Sequence, residues 1–168
     1  KLITLLKTPY QRTLYLDSDT YILDDISEMF RLLDRFDLAL CHGHNRYKRY
    51  RMQIGEIDAK GERRQVVSKS IPYAFSPVQG GLLLYNKSKE VMSWLERLLE
   101  VYRDKNYFDD QASIRELLWE SDLKFYILPP EYNFNSIAYY RQLKKENFIV
   151  AKPKIFHYTR NKSDLKKL

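Results

Sequence analysis

Two aspartates at the end of an apolar run are the residues of this sequence whose spacing best suits metal binding. The run Leu14–Leu16 is followed directly by Asp17, Ser18 and Asp19. In an extended chain, residues two apart point to the same side, so the two carboxylates can face one spot while Ser18 points away. Two ionised carboxylates that lie close together repel each other unless a cation or hydrogen-bond donors compensate. A hard divalent cation compensates them and can carry a diphosphate on its remaining positions.

The element that must position this acidic pair is a strand over residues 12–17. Its apolar run is typical of a strand that is buried on both faces of a largely parallel sheet. Open α/β sheets bind ligands just beyond the carboxyl ends of their strands, which favours a ligand site at Asp17 and Asp19. The alternative is structural, since both residues also suit a turn or the cap of the following helix.

A pair of glycines precedes a second apolar strand, in the segment Gln79-Gly80-Gly81. Glycine has no Cβ and tolerates positive φ, so a ligand can lie directly against the chain there. A bulge or a tight turn explains the pair equally well.

Acidic residues also open a helix at Asp109-Asp110-Gln111. A carboxylate at this position could act as a general base. It could equally cap the helix, because acidic side chains satisfy the free N–H groups of the first turn and complement the helix dipole. We assign the cap to Asp109 and the chemistry to Asp110 and Gln111.

His157 lies in a short apolar strand near the end of the sequence. A neutral imidazole is a common metal ligand in proteins. An isolated histidine on a strand is otherwise an ordinary core or surface residue. The segment Cys41–His44 does not offer four suitably spaced ligands, so we do not predict a structural zinc site there.

Taken in order, these segments resemble the metal-dependent, nucleotide-sugar-using glycosyltransferases of the GT-A fold, especially the glycogenin-like enzymes of family 8. The resemblance runs from about residue 12 to residue 158. Its matching elements are the Asp-X-Asp motif Asp17-Ser18-Asp19, the pair Gly80-Gly81, the Asp-Gln element Asp110-Gln111, the Leu-Pro-X-X-Tyr-Asn stretch Leu128–Asn133 and the late His157. Two departures are Gln79, where the family more often has Asn, and Thr159 after the strand, where the family's Gly and Lys-Pro-Trp are absent.

The resemblance implies a hexosyltransferase that uses a nucleotide-sugar, most simply a UDP-sugar, on an unknown acceptor, with retention of configuration. It implies a metal site for Mn²⁺ or Mg²⁺ and catalytic roles for Asp110 and Gln111. Tyr132 and Asn133 would be mainly structural, at the acceptor side. The implied metal ligands are Asp17, Asp19 and His157, and the implied donor-binding residues are these three with Ser18, Gln79, Gly80 and Gly81.

Strands and helices alternate along the chain, which predicts an α/β fold. The resemblance implies the three-layer GT-A fold with a mixed, mostly parallel sheet. We expect residues 1–168 to form a single partial domain that lacks the family's first strands. In the family those strands hold the base and ribose of the nucleotide, so we expect the 168 residues alone to bind a nucleotide poorly.

A basic segment over residues 42–70 carries most of the net charge. It has eight Lys or Arg against three acidic residues, a net charge of +5 out of the chain's +7. Such a surface attracts acidic or phosphorylated glycans, anionic membrane headgroups or other anions. Because Tyr47 and Tyr50 interleave with the cations, the alternative function is a non-catalytic basic module that binds nucleic acid or anionic lipid. A decayed enzyme would not need both aspartates and His157, so we consider nucleic acid an unlikely partner.

Overall fold

The computed structural model describes residues 1–42, 53–57, 60, 63–67, 71–72, 74–75, 77–104, 110–134, 137–147 and 152–158. Its strands are β1 Arg12–Leu16, β2 Thr20–Ile22, β3 Leu38–His42, β4 Gln53–Ile57, β5 Arg63–Val67, β6 Val78–Asn86, β7 Phe125–Leu128 and β8 Ile155–His157. Its α-helices are α1 Leu2–Leu6, α2 Lys89–Asp104, α3 Asp110–Glu120 and α4 Ile137–Lys145, and two 3₁₀ helices span Ser27–Asp34 and Pro130–Tyr132.

The main sheet has four strands in the order β1-β6-β3-β7. Strand β6 is antiparallel to both β1 and β3, whereas β3 is parallel to β7. Three of the four strands therefore point in one direction and β6 points in the other. The predicted mixed α/β sheet with mostly parallel strand directions is confirmed, although two of its three pairings are antiparallel because the reversed strand lies inside the sheet.

Strand β6 is an inner strand of the main sheet, and other elements cover both of its faces. Its residues from Val78 to Tyr85 are all buried. Leu83 and Tyr85 pack towards the helical layer of α1, α2 and α3. Leu82 and Leu84 pack on the other face, against the 3₁₀ helix Ser27–Asp34 and against β8. This alternation gives the three layers that the sequence predicts.

Strand β1 lies at one edge of the described sheet and is less buried than the sequence predicts. Arg12 is exposed and the other four residues are only partly buried. The prediction of a strand buried on both faces was wrong here, because β1 pairs with β6 alone in the part of the sheet that the structure describes.

A small antiparallel ribbon of β2 and β8 connects the end of the chain to the segment after β1. Thr20 lies opposite His157 in this ribbon. Backbone hydrogen bonds from Tyr158 N to Asp19 O at 2.9 Å and from His157 N to Phe134 O at 2.7 Å fix it on both sides. The ribbon therefore brings His157 beside the acidic pair, although the two are far apart in sequence.

Most of the basic segment 42–70, including Tyr47 and Tyr50, lies outside the described residues, as do Asp109 and Thr159. The antiparallel backbone pairing of β4 with β5 is described within that segment. The glycan, membrane and nucleic-acid partners of the basic segment stay predictions. The single partial domain over residues 1–168 also stays a prediction. No helix within the described ranges is long and apolar enough to cross a membrane.

Candidate metal centre and donor site

The structure brings Asp17, Asp19 and His157 together at the carboxyl end of β1. One ligand atom from each residue lies within 4.8 Å of the ligand atoms of the other two. The His157 Nε2 is 2.9 Å from Oδ1 of Asp19. The carboxylates are partly buried and the imidazole is buried. Two carboxylate oxygens and one imidazole nitrogen form a donor set that fits Mn²⁺, and the two oxygens also fit Mg²⁺.

A tight turn, rather than an extended segment, makes the two carboxylates converge. Thr20 donates to the Asp17 carbonyl from both its backbone N, at 3.2 Å, and its Oγ1, at 2.8 Å. The turn thus uses the backbone oxygen of Asp17, and no backbone N–H of a described residue caps its carboxylate. Ser18 is exposed at the tip of the turn. The predicted extended geometry at this point was wrong, but its consequence, two carboxylates near one spot, agrees with the structure.

Tyr15 orients the first carboxylate of the pair. Its phenol OH donates to Oδ1 of Asp17 at 2.9 Å. Desolvation by burial, and then the hydrogen bond and the negative charge of Asp17, raise the pKa of Tyr15 well above its usual value. The phenol therefore stays a neutral hydrogen-bond donor at physiological pH.

The glycine pair lies in a bulge of β6 beneath the acidic pair. Leu40 lies opposite Leu83, but the next residue of β3, Cys41, lies opposite Gln79, so the register shifts across Gly80 and Gly81. Neither glycine has a φ in the left-handed region. The bulge alternative is thus correct and the tight turn is not.

Close approach to functional side chains explains why both positions are glycine. A Cβ on Gly81 would lie 2.6 Å from Cε1 and 2.7 Å from Nδ1 of His157, and 3.3 Å from Oδ2 of Asp17. A Cβ on Gly80 would lie 2.8 Å from Nζ of Lys1 and 3.0 Å from each carboxylate oxygen of Asp110. The two alternatives raised by the sequence are therefore compatible, since the bulge is what places the bare backbone against the site.

Lys1 connects Asp110 to the acidic pair, a role that the sequence did not reveal. Its Nζ is 2.5 Å from Oδ2 of Asp110 and 3.6 Å from Oδ1 of Asp17, and it lies 5.6 Å from the centre of the Tyr15 ring. The ion pair is partly shielded, with side-chain exposures of 23% and 18% for Lys1 and Asp110. The sequence indicated only that the first residues, including Lys1, form the end of a helix, and no local pattern joined Lys1 to Asp17.

A cavity of about 510 Å³ opens beside this ion pair. Its volume is within the usual range of small-molecule sites. Asp110 is the first residue of α3, as predicted, and Gln111 follows it, partly buried, in the same turn. The cavity is lined by Lys1, Leu2, Ile3, Asp17, Leu99, Tyr102, Arg103 and Asp110.

Gln79 and Asn133 lie behind the imidazole rather than in the cavity. The Nδ1 of His157 is 3.2 Å from Oδ1 of Asn133, whose Nδ2 donates to Oε1 of Gln79 at 2.5 Å. Asn133 is completely buried, so the expectation that it faces the acceptor side was wrong. Tyr132 is structural, since its OH donates to Glu28.

No family model and no curated protein matches this sequence. Solved structures match its fold. The bifunctional glycosyltransferase WbbM in its apo form matches over 90% of this chain and 29% of its own, with a TM-score of 0.62 and 19% identity. The glycosyltransferase GlyE from Streptococcus pneumoniae TIGR4 matches over 95% and 37%, with a TM-score of 0.55 and 20% identity. The galactosyltransferase LgtC, in complex with donor and acceptor sugar analogs, matches over 94% and 57%, with a TM-score of 0.54 and 16% identity.

At such identities the likeness shows the fold alone, and it confirms the predicted GT-A fold. The chain spans between 29% and 57% of the length of these three structures. Membership of family 8 and the missing first strands stay predictions.

Proposed function

We propose that this chain is the catalytic part of a metal-dependent glycosyltransferase that takes a hexose from a UDP-sugar and transfers it to an acceptor. The observation that carries the proposal is the convergence of Asp17, Asp19 and His157 next to a cavity that is lined by Asp17 and by the Lys1–Asp110 ion pair. The shared fold with structures named as glycosyltransferases supports it, and one of those is a complex with donor and acceptor sugar analogs.

Asp17, Asp19 and His157 would hold the metal ion, which is Mn²⁺ or Mg²⁺. The bound ion would neutralise the charge that develops on the leaving diphosphate and would act as a template for it. Tyr15 would keep the Asp17 carboxylate in position through its hydrogen bond. Asp17 also lines the cavity, so it would connect the metal site to the space beside the Lys1–Asp110 ion pair.

Lys1 would bind the same diphosphate from the cavity side of the site. Its ammonium group lies between Asp17 and Asp110, so it can offer a donor to a phosphate oxygen while it stays paired. Charge-assisted hydrogen bonds of this kind are stronger than neutral ones. Lys1 would therefore add positive charge next to the metal without needing the segment after His157.

Asp110 and Gln111 would contact the sugar. A carboxylate held 2.5 Å from an ammonium group is a good acceptor for sugar hydroxyls. This pairing favours a sugar-binding role for Asp110 over a role as general base. Gly80 lets the Lys1–Asp110 ion pair lie directly against the backbone, because a Cβ there would meet both side chains.

The experiment that tests this function is UDP-sugar hydrolysis and transfer with Mn²⁺, comparing the wild type with Asp19→Asn. We expect the substitution to abolish both activities, because it removes a charged metal ligand but keeps the size of the side chain. Asp122→Asn is the matched control, since Asp122 is exposed after α3 and away from the site. Equal rates in all three proteins would refute the metal role. The anomeric configuration of the product, read by NMR, tests retention.

The basic binding module is the less favoured function. It gives no reason for two aspartates, a buried histidine and two glycines to converge at one point of the fold. Binding of RNA or acidic vesicles in the absence of any response to UDP and Mn²⁺ would reverse this preference.

A further inference from the structure

A chain of three buried polar groups stands behind the candidate metal ligand His157. Its Nδ1 lies 3.2 Å from Oδ1 of Asn133, and the Nδ2 of Asn133 donates to Oε1 of Gln79. The exposed fractions are 8% for His157, 0% for Asn133 and 5% for Gln79. Asn133 and Gln79 are buried, and side-chain hydrogen bonds join them to each other and to the imidazole.

The backbone around the chain fixes its geometry. Asn133 follows the 3₁₀ helix Pro130–Tyr132, and its N–H donates to the Pro130 carbonyl at 3.2 Å. The next residue, Phe134, accepts from His157 N and donates to Ile155 O at 2.9 Å. The segment with Asn133 is thus bonded along β8, and the amide has little freedom to leave the ring.

The direction of these hydrogen bonds decides which imidazole nitrogen can bind a metal. When Gln79 Oε1 accepts from Asn133 Nδ2, the oxygen of Asn133 faces the ring and accepts a hydrogen from Nδ1. A neutral ring with its hydrogen on Nδ1 has a free lone pair on Nε2, the nitrogen that faces Asp19. The opposite direction would put the hydrogen on Nε2 and block coordination. Only one of the two directions is compatible with metal binding.

We infer that Asn133, itself held by Gln79, is a positioning residue that sets the His157 tautomer and directs Nε2 at the metal site. This inference rests on the proposed function. Partners that bond the second nitrogen of a metal-binding histidine commonly fix its tautomer and orientation, and removing them costs about 10–100-fold in metal affinity.

The inference also assigns Gln79 to the metal side of the site. Its amide oxygen is engaged by Asn133 and its side chain is buried, so it does not project into the cavity beside Lys1 and Asp110. Hydrogen bonds from this segment to a sugar would then come from the backbone at the glycine pair and not from Gln79.

The test measures Mn²⁺ affinity by titration calorimetry for the wild type and three variants of the 168-residue chain. Asn133→Leu removes the acceptor, and we expect about 10–100-fold weaker binding. Asn133→Asp keeps an acceptor oxygen for Nδ1, and we expect affinity within about threefold of the wild type, since carboxylates also serve as such partners. Gln79→Met removes the group that orients Asn133, and we expect an intermediate loss.

A second readout separates positioning from general destabilisation. Long-range ¹H–¹⁵N NMR of the Mg²⁺-loaded protein reports which imidazole nitrogen carries the hydrogen, and the chain has only three histidines. We expect it on Nδ1 of His157 in the wild type and in Asn133→Asp, and a mixture of tautomers in Gln79→Met. Circular dichroism melting confirms that each variant is folded.

Each outcome of the calorimetry either supports or refutes the positioning role. If the folded Asn133→Leu or Gln79→Met protein binds Mn²⁺ within about twofold of the wild type, the positioning role is refuted. If Asn133→Asp is as weak as Asn133→Leu, the acceptor is not what matters and the inference is equally refuted. If the wild type itself binds no Mn²⁺, the proposed function fails first, and the calorimetry identifies that case directly.

Discussion

Replacing Gly81 by alanine tests the site most directly, because the expected effect follows from the structure. The new Cβ would lie 2.6 Å from Cε1 and 2.7 Å from Nδ1 of His157, whereas ordinary contacts begin at 3.4 Å. Gly81 cannot retreat easily, because its carbonyl accepts from Asp17 N at 2.9 Å and the strand is buried on both faces. The imidazole must therefore move by about 0.8 Å, the difference between 3.4 and 2.6 Å.

A displacement of this size is large for a metal ligand. Metal–ligand distances are held to within about 0.2 Å, so His157 would no longer coordinate well. We expect Gly81→Ala to weaken Mn²⁺ binding by at least about tenfold, equivalent to about 1.4 kcal/mol. Overpacking costs about 1–3 kcal/mol, so the melting temperature should also fall. A smaller opposing gain comes from the lower entropy of the unfolded chain, about 0.4–1 kcal/mol where φ suits alanine.

Gly80→Ala is the matched control, since it makes the same chemical change one residue earlier. Its Cβ would meet the Nζ of Lys1 and the carboxylate of Asp110, which are the ends of flexible side chains that can move aside. We expect near-normal Mn²⁺ affinity and a raised KM for the UDP-sugar. Calorimetry with Mn²⁺ and donor kinetics on both variants measure the contrast. If Gly81→Ala binds Mn²⁺ as tightly as Gly80→Ala, the close approach of the ring to this glycine is not what the site requires.

Two further substitutions test the groups around the ligands. Tyr15→Phe removes the donor to Asp17. Because hydrogen bonds to charged groups contribute about 1.5–3 kcal/mol, we expect Mn²⁺ binding in calorimetry to weaken by about 10- to 150-fold with little change in fold; unchanged affinity would contradict the orienting role. Glu28→Gln tests the hydrogen bonds that Glu28 accepts from Lys154, next to β8, and from Tyr132. The bond from Lys154, and then that from Tyr132, lower the pKa of Glu28 from its ordinary 4.5. Because the pKa of Glu28 is lower in the folded state, its ionised carboxylate stabilises the protein above pH 4.5, and this contribution is lost as the pH falls through the folded pKa. The melting temperature of Glu28→Gln should therefore be below that of the wild type at neutral pH, and the difference should narrow on acidification. A difference in melting temperature that stays constant with pH would contradict the role of this carboxylate.

The sequence was most informative where function depends on local order. The apolar run before Asp17 correctly predicted strand β1. The continuous apolar stretch of β6 agrees with a strand whose side chains alternate between two buried faces of the sheet. It was wrong about how β1 is buried, because an apolar run does not distinguish an edge strand from a central one. It was wrong about the geometry of the acidic pair for a similar reason, since Thr20 closes the turn with a backbone contact that no periodicity encodes.

The features of the site that could not be predicted from residue spacing all depend on contacts between residues far apart in the sequence. His157 could be placed at the site only through the family resemblance, because the pairing of β2 with β8 joins segments more than a hundred residues apart. Lys1 and Asn133 had no such guide. Their roles depend on partners in other elements, Asp110 for the first and Gln79 for the second. Polar contacts of this kind follow from the finished fold and not from the spacing of residue types.

The glycine pair lies between the two halves of the candidate site. Gly81 approaches Asp17 and His157, whereas Gly80 approaches Lys1 and Asp110. Consecutive Cα atoms are about 3.8 Å apart, so the metal side and the cavity side are separated by one residue of backbone. Under the proposed function, a donor whose diphosphate is at the metal and whose sugar is beside Asp110 would contact both sides. A side chain at Gly81 would displace the metal ligand His157, and one at Gly80 would displace the Lys1–Asp110 ion pair. The two variants above should therefore fail in different ways, one in metal affinity and the other in donor binding.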